Sequence, residues 1–242
     1  MKLIKLTFIA FILSTIISSL AISIVPSSTR SRKAISKVKP LLIKELEKKN
    51  LHWGAPIFIR IFKLSYELEL WIRNKEKFDL FQTYKICTYS GKLGPKEKEG
   101  DLQAPEGFYF VTPNQMNPIS QFHLSFNIGY PNKYDLVYSR TGGLIMVHGN
   151  CVSIGCFAMT DRNIEEIYAL ADAALRNEQK FFRVHIFPFR MTERNMRAYH
   201  KSKWFTFWSN LKEGYDYFEK FRVPPNVIVK NKHYLFEKDK IN

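Results

Sequence analysis

The sequence predicts a mainly β domain with a few packed helices, preceded by a signal or anchor segment and followed by a helical C-terminal tail. Two patterns lead to this prediction. Residues 56–73 alternate apolar and polar side chains, which is the period of a strand. Residues 160–178 instead place apolar side chains at the spacing of a helix. The chain has 242 residues, 45% of them hydrophobic, which is enough for one sizeable domain with extensions.

The first 25 residues have the composition of a targeting segment. Lys2 and Lys5 precede an uncharged apolar run at 6–25, and small residues at 19–21 offer a cleavage site. The run is also long enough to span a membrane. Cations between residues 30 and 39 follow it closely. Because positive charge prefers the cytoplasmic side of a membrane, these cations argue against a simple anchor with the domain outside. We expect export, by a cleaved signal peptide or an uncleaved N-terminal membrane anchor.

The remaining segments follow from local patterns. Residues 26–55 are predicted to form a basic linker or a short leading helix. The predicted strands are a hairpin at 56–73 and single strands at 78–89, 108–112, 142–149 and 182–189. A loop rich in glycine, proline and charge lies at 91–107, and a helix begins at Thr160 or Asp161. Residues 191–242 form an aromatic, basic extension that we expect to be helical up to a break at 223–225.

The net charge of +15 is unevenly distributed along the chain. Residues 1–25 carry +2, 26–50 carry +6, 51–189 carry +1 and 190–242 carry +6. A nucleic-acid-binding domain should have its basic excess on its recognition surface. The central region is nearly neutral, so no nucleic-acid partner is predicted. The flanks suit a membrane or an anionic envelope polymer, although solvated basic tails have the same composition.

One short motif concentrates the reactive side chains. The sequence HGNCVSIGCFAM at 148–159 contains His148, Cys151 and Cys156. It lies between a predicted strand and a predicted helix, where a rigid scaffold commonly aims functional side chains. A zinc site would need a fourth ligand, and no second CxxC or HxxxH supplies one nearby, although His123 or His185 could complete a site in space. No metal and no other cofactor is predicted.

The three cysteines leave the disulfide pairing open. In an exported chain an odd count leaves at least one thiol unpaired within the chain. Pairing Cys151 with Cys156 would close a very small loop, with little entropic gain. Pairing Cys87 with Cys151 would leave Cys156 free. Neither pairing can be chosen from the sequence.

A third interpretation makes a cysteine the nucleophile and His148 its base. A thiolate attacks carbonyl carbon well when a base or a positive field favours it. Gly149 and Gly155 permit the intervening loop to fold back, and Gly155 lets backbone N–H groups approach a developing oxyanion. A lone cysteine or histidine is more often structural. A His-Gly after a strand, followed by Ser153-Ile154-Gly155-Cys156 and a helix, favours chemistry.

Three stretches resemble one family. The sequence VHGNCVSIGCFAMTD at 147–161 resembles the signature of the YkuD-type L,D-transpeptidase catalytic domain, a His-Gly followed by Ser/Thr-x-Gly-Cys. The sequence SGKLGPKEKEGDLQAPEGFYFV at 90–111 resembles the family's segment that leads into a strand. The sequence FHLSFNIGYPNKYD at 122–135 resembles its YafK-like branch. The similarity covers about residues 56–190, which we therefore expect to be the catalytic domain.

The resemblance implies a reaction and a location. Cys156 would be the nucleophile and His148 its general base, acting on peptidoglycan stem peptides in the periplasm or cell envelope. Family members attack the carbonyl of the third stem residue, expel the terminal D-alanine, and are usually inhibited by carbapenems. The acyl-enzyme passes to an amine or to water, so transpeptidase and hydrolase both stay open. The YafK-like branch includes an enzyme that releases lipoprotein from peptidoglycan, which makes such a lipoprotein a further candidate partner.

Two departures from the family pattern concern substrate recognition. Only seven residues separate His148 from Cys156, fewer than in many members, and Ala158 stands where many have an arginine.

A non-catalytic envelope-binding protein and a zinc hydrolase are the alternatives from other functional classes.

Four further residues are candidates for the site. Gly149, Ser153 and Gly155 are expected to shape the loop or to bind substrate and oxyanion oxygens. His123 could line the cleft or be an ordinary strand residue.

Overall fold

The structure, a computed structural model, describes residues 24–238. The predicted signal or anchor at 1–25 therefore lies almost entirely outside the described residues. Within 24–238, no helix is both long enough and apolar enough to cross a membrane.

Twelve strands, five α-helices and a short 3₁₀ helix at Pro113–Gln115 make up the described part of the chain. The strands are β1 (Ile57–Phe62), β2 (Glu67–Asn74), β3 (Lys77–Lys85), β4 (Thr88–Tyr89), β5 (Gly107–Val111), β6 (Met116–Asn117), β7 (Ser125–Asn127), β8 (Met146–His148), β9 (Phe157–Ala158), β10 (Phe182–Phe187), β11 (Asn226–Lys230) and β12 (His233–Glu237). The helices are α1 (Thr29–Glu47), α2 (Lys133–Val137), α3 (Asp161–Arg176), α4 (Glu193–Ala198) and α5 (Phe205–Phe221). The mainly β fold with packed helices is confirmed.

Two five-stranded sheets form the body of the protein. The first has the order β3-β2-β1-β10-β5, and the second has the order β4-β9-β8-β7-β6. The predicted hairpin at 56–73 is confirmed, because β1 and β2 pair antiparallel from Ile57↔Ile72 to Phe62↔Glu67. The single strand predicted at 78–89 is instead divided: β3 ends in the first sheet and β4 joins β9 in the second. This division lets one segment connect the two sheets.

The main core lies between the two sheets and α3. In β10, Phe182, Val184 and Ile186 belong to this core, together with Phe126 and Phe157 of the second sheet. The alternate β10 residues occupy the opposite face of the first sheet, as the two-residue period of a strand requires. Helix α3 begins where the sequence predicts, with Thr160 as N-cap. Its start follows β9 directly, so the end of the His/Cys motif is held between a buried strand and a buried helix.

The C-terminal extension covers the outer face of the first sheet. It is helical as predicted, with α4 and α5, but the hairpin of β11 and β12 was not foreseen. Arg60 of β1 is almost fully buried and pairs with Glu69 of β2 and with Glu219 of α5, at 2.8 and 2.6 Å. A buried charge is costly unless it is paired and hydrogen-bonded. This extension therefore packs as part of the domain, although it is basic.

The leading segment also packs on the domain. Helix α1 starts at a capping box on Ser28, and it buries Ala34, Leu42 and Leu46 in the main core. Lys37 of α1 forms a 2.7 Å ion pair with Glu165 of α3. The excess charge of residues 26–50 thus sits on the exposed face of a packed helix.

Candidate active site

Two neighbouring parallel strands position His148 and Cys156. Strands β8 and β9 pair with Val147 opposite Phe157 and His148 opposite Ala158. Val147 and Phe157 are fully buried in the core. Since side chains alternate along a strand, His148 and, one residue before β9, Cys156 are directed to the other face of this sheet. The motif residues are therefore brought together by strand pairing, and the loop 149–155 serves as the connection.

The Cys156 thiol lies among backbone groups at the start of β8 and just before it. Its Sγ accepts a hydrogen bond from the Met146 N–H at 3.3 Å and lies 3.8 Å from the Leu144 carbonyl oxygen. Burial raises the pKa of the Cys156 thiol, while the Met146 amide and the positive charge of Lys96 act to lower it. The resting group is thus a protonated thiol that already accepts one backbone N–H and lies within the electrostatic influence of Lys96.

His148 is held in a defined tautomer. Its Nδ1 lies 2.6 Å from the Gly149 carbonyl oxygen. A carbonyl oxygen only accepts, so Nδ1 carries the hydrogen and Nε2 is the basic nitrogen of the neutral ring. Burial lowers the pKa of His148, although the bond to Gly149 acts to raise it. The imidazole is therefore neutral near pH 7 and can accept a proton.

Within the described residues, no hydrogen bond joins the His148 ring to the Cys156 thiol. A direct thiolate–imidazolium pair is therefore not the resting state of this structure. Catalytic hydrogen bonds are often long without substrate and tighten when it binds. The lowered pKa of His148 and the raised pKa of Cys156 both favour the neutral pair. This arrangement suits a base that takes the thiol proton as the sulfur attacks.

The turn before Cys156 is braced by Ser153. The Ser153 hydroxyl donates to the Cys156 carbonyl oxygen at 2.8 Å and accepts the Gly155 N–H at 3.2 Å. Gly155 has φ +139°, a conformation that other residues rarely adopt. These contacts give Ser153 and Gly155 a role in shaping the turn. Gly155 was expected to let backbone N–H groups approach an oxyanion, and its own N–H is hydrogen-bonded to Ser153 here.

Gly149 is confined on the other side of the histidine. A Cβ built on it would lie 2.6 Å from Asp161 Oδ1 and 2.8 Å from the Phe122 carbonyl oxygen. Its N–H donates to the Phe122 and Leu124 carbonyls at 3.0 and 3.1 Å. Any side chain at 149 would push the backbone away from these partners. Gly149 therefore permits the close approach that holds the His148 ring.

The disulfide question is answered by the structure. Cys87 and Cys151 are bonded, with their Cα atoms 5.5 Å apart, and Cys156 is the free cysteine. The bond ties the loop 149–155 to the segment between β3 and β4. Cys87 is held there by its own N–H, which donates to the Ala158 carbonyl at 2.8 Å. One of the pairings left open by the sequence is thus formed, and it removes Cys151 as a nucleophile.

Breaking this disulfide is expected to cost stability and to spare chemistry. The bond spans a separation of 64 residues, for which loop-closure entropy gives a stabilisation of about 4 kcal/mol. Cys151→Ser should lower the free energy of unfolding in urea by about 2–4 kcal/mol. Cys87→Ser should cost the same, and the double variant should cost no more than either. Losses that add in the double variant, or a Cys151→Ser protein as stable as the parent, would contradict this account.

The predicted loop 91–107 supplies the cation near Cys156. The Lys96 side chain is nearly buried, and its Nζ contacts the Lys98 carbonyl at 2.8 Å and the Asp101 carboxylate at 2.5 Å. Burial acts to raise the pKa of Asp101, but Lys96 and three backbone amides outweigh it and lower the pKa. The loop is thereby folded around Asp101. It also lies beside the turn before Cys156, since the Gln103 carbonyl lies 3.7 Å from a Cβ built on Gly155.

Sequence reasoning missed several of these groups. His123, a candidate in the sequence, contacts Glu165 of α3 through its Nε2 at 3.0 Å. Its neighbour Phe122 is the residue that stacks on the His148 ring, with centroids 4.7 Å apart. Lys96 and the Met146 amide were also missed, because an isolated lysine or backbone N–H has no sequence signature. Among residues 24–238, no group of three or more His, Cys, Asp or Glu residues could hold a metal ion.

Two of the solved structures that match this chain do so with TM-scores below 0.5. The helical cell shape determining protein Pgp2 of Campylobacter jejuni, as its K307A mutant, matches with a TM-score of 0.46 and 20% identity, over 82% of this chain and 80% of that chain. Bd1075 of Bdellovibrio bacteriovorus matches with a TM-score of 0.39 and 16% identity, over 75% and 85% of the two chains.

Comparison of sequences finds relatives with much higher identity. The model of the YkuD family, described as the L,D-transpeptidase catalytic domain, matches residues 59–186. YafK of Escherichia coli strain K12, named as a candidate L,D-transpeptidase, is 47% identical over 185 residues, which is 76% of this chain and 75% of YafK. The YafK of E. coli O157:H7 matches equally well. The chain therefore belongs to the YkuD-type family of L,D-transpeptidase catalytic domains.

Proposed function

We propose that this protein is a cysteine acyl-transfer enzyme of the cell envelope that acts on peptidoglycan stem peptides. Cys156 is its nucleophile and His148 its general base. The observation that carries the proposal is the pairing of β8 with β9, which directs a free thiol and a neutral imidazole to one face of a sheet. Family membership supports an enzyme of this type, and its exported location rests on the composition of residues 1–25.

The proposed reaction follows from the two side chains. His148 Nε2 takes the proton of the Cys156 thiol while Sγ forms a bond to the carbonyl carbon of the third stem residue. The tetrahedral intermediate collapses, the peptide C–N bond breaks, and the D-alanine amine leaves with the proton from His148. A thioester on Cys156 remains. An amine that attacks it forms a cross-link or attaches a lipoprotein, and water yields the trimmed stem. Where the stem carries a lipoprotein instead of D-alanine, the lipoprotein amine is the leaving group of the first step, and water then frees the stem from Cys156.

The acceptor is what separates the two activities within this proposal. The full chain is incubated with peptidoglycan sacculi, and the muropeptides are then identified by liquid chromatography and mass spectrometry. New direct cross-links identify a transpeptidase. Shortened stems or released lipoprotein identify a hydrolase. Muropeptides identical to those made by the Cys156→Ala variant would contradict the proposal in both forms.

A further inference from the structure

The loop 118–124, between β6 and β7, contacts both His148 and Gly149, whose carbonyl oxygen is hydrogen-bonded to the His148 ring. The Phe122 ring stacks on the His148 imidazole, with centroids 4.7 Å apart and planes at 30°. The Phe122 carbonyl accepts the Gly149 N–H at 3.0 Å. Gly149 in turn accepts the hydrogen of His148 Nδ1. One residue of this loop thus fixes both the plane of the ring and the backbone that sets its tautomer.

Helix α1 holds this loop through its first turn. Arg30 Nη1 donates to the Ser120 carbonyl at 2.7 Å and to the His123 carbonyl at 3.0 Å. These two carbonyls flank Phe122 along the chain. Ser28, the N-cap of α1, donates its hydroxyl to the Pro118 carbonyl at 2.7 Å. Bonds from a guanidinium are stronger than those between neutral groups, so Arg30 is the main attachment.

A second attachment reaches the same loop from α3. Glu165 contacts His123 Nε2 at 3.0 Å through one carboxylate oxygen and Lys37 of α1 at 2.7 Å through the other. His123 has φ +68°, which is unfavourable for a residue other than glycine. The loop therefore needs external contacts to keep its shape, and α1 contributes to both of them.

We propose that Arg30 is a positioning residue for His148, acting through Phe122. The inference rests on the proposed function, because it gives His148 the role of base. Arg30 and α1 lie outside residues 59–186 that match the family model, so this support is additional to the matched catalytic domain. The helix that follows the predicted export segment is then part of the catalytic apparatus and not only a spacer.

The full chain with Arg30→Ala tests this. Small displacements of a catalytic group cost large factors in rate, so we expect kcat to fall by about tenfold, with KM unchanged. Arg30→Lys keeps a cation that can reach one of the two carbonyls and should restore part of the loss. Arg32→Ala is the matched control: it removes the same charge from the same helix, and within residues 24–238 the Arg32 side chain hydrogen-bonds Ser27 and Thr29, not the loop 118–124. Its kcat should equal that of the parent.

Two readouts distinguish positioning from plain stability. The first is the pH profile of Cys156 alkylation by iodoacetamide, and the second is the 15N NMR signal of the His148 ring. Arg30→Ala should change both, and Arg32→Ala should change neither. A kcat loss that disappears when the assay is run well below the thermal midpoint would overturn the proposal, as would equal kcat values for Arg30→Ala and Arg32→Ala.

The ring signal also separates this inference from the proposed function. If no variant acts on peptidoglycan, the proposed function fails, but a His148 signal that moves only in Arg30→Ala still supports the positioning contact. A His148 signal identical in Arg30→Ala and the parent overturns the inference whatever the substrate is.

Discussion

Replacing Cys156 by alanine is expected to abolish acyl transfer while leaving the fold intact. Removing a covalent nucleophile costs a factor of about 10⁴ or more in rate, because the remaining groups can only bind and polarise the substrate. The side chain makes one hydrogen bond from Met146 and a long contact to Leu144, so its loss should leave the thermal midpoint within a few degrees of the parent. The rate of change in muropeptide composition measures activity, and thermal unfolding measures the fold.

Cys156→Ser and Cys151→Ser are the matched controls for this result. A serine keeps the shape and the hydrogen bond from Met146 but is a much weaker nucleophile, so its activity should stay near the background. Cys151→Ser should keep activity below its lowered unfolding temperature, because Cys151 is held in the disulfide. Full activity in Cys156→Ala would remove the cysteine mechanism altogether.

Replacing His148 by alanine is expected to make the enzyme dependent on alkaline pH. The neutral imidazole is the base, and the loss of a general base costs about 10²–10⁴ in rate at pH 7. Without it the reaction depends on the thiolate alone. Burial raises the pKa of Cys156, so the rate of the variant should rise with pH through that raised value, and the difference from the parent should shrink.

The pH–activity profile of the parent protein gives a second prediction, on its acid side. Burial lowers the pKa of His148 below its ordinary value of about 6.5, so the base stays neutral as the pH falls past that value. Activity of the parent should therefore persist below pH 6.5 and decline only at the lowered pKa. His200→Ala, at an exposed histidine far along the chain, is the control and should keep the parent profile. A His148→Ala protein with an unchanged profile would exclude His148 as the base.

Much of the fold could be predicted because it follows local rules. The alternation at 56–73 gave the hairpin of β1 and β2, and Thr160, one of two N-cap candidates, caps α3. The predicted strand at 78–89 was divided because a run of apolar residues does not indicate which sheet each part joins. The hairpin 226–237 was missed, since its strands are only half-buried and their pattern is weak.

The site was predictable where the chemistry lies in one continuous motif. His148 and Cys156 were identified from a twelve-residue stretch, whereas the groups that tune them come from elsewhere in the chain. Lys96 is 60 residues before Cys156, and Phe122 is 26 residues before His148. Their contacts depend on strand pairing and loop geometry, which one sequence does not encode locally. The Cys87–Cys151 bond was undetermined for the same reason, since it needs the two sheets in place.

A covalent adduct measured by mass spectrometry tests the central claim, that Cys156 forms the acyl-enzyme, most directly. The full chain is incubated with a carbapenem, its intact mass is measured, and the modified peptide is mapped. The account predicts one drug molecule per chain, attached at residue 156, with no adduct on Cys156→Ala and an undiminished adduct on Cys151→Ser. An adduct that persists in Cys156→Ala, or that maps to any other residue of the parent, would contradict it.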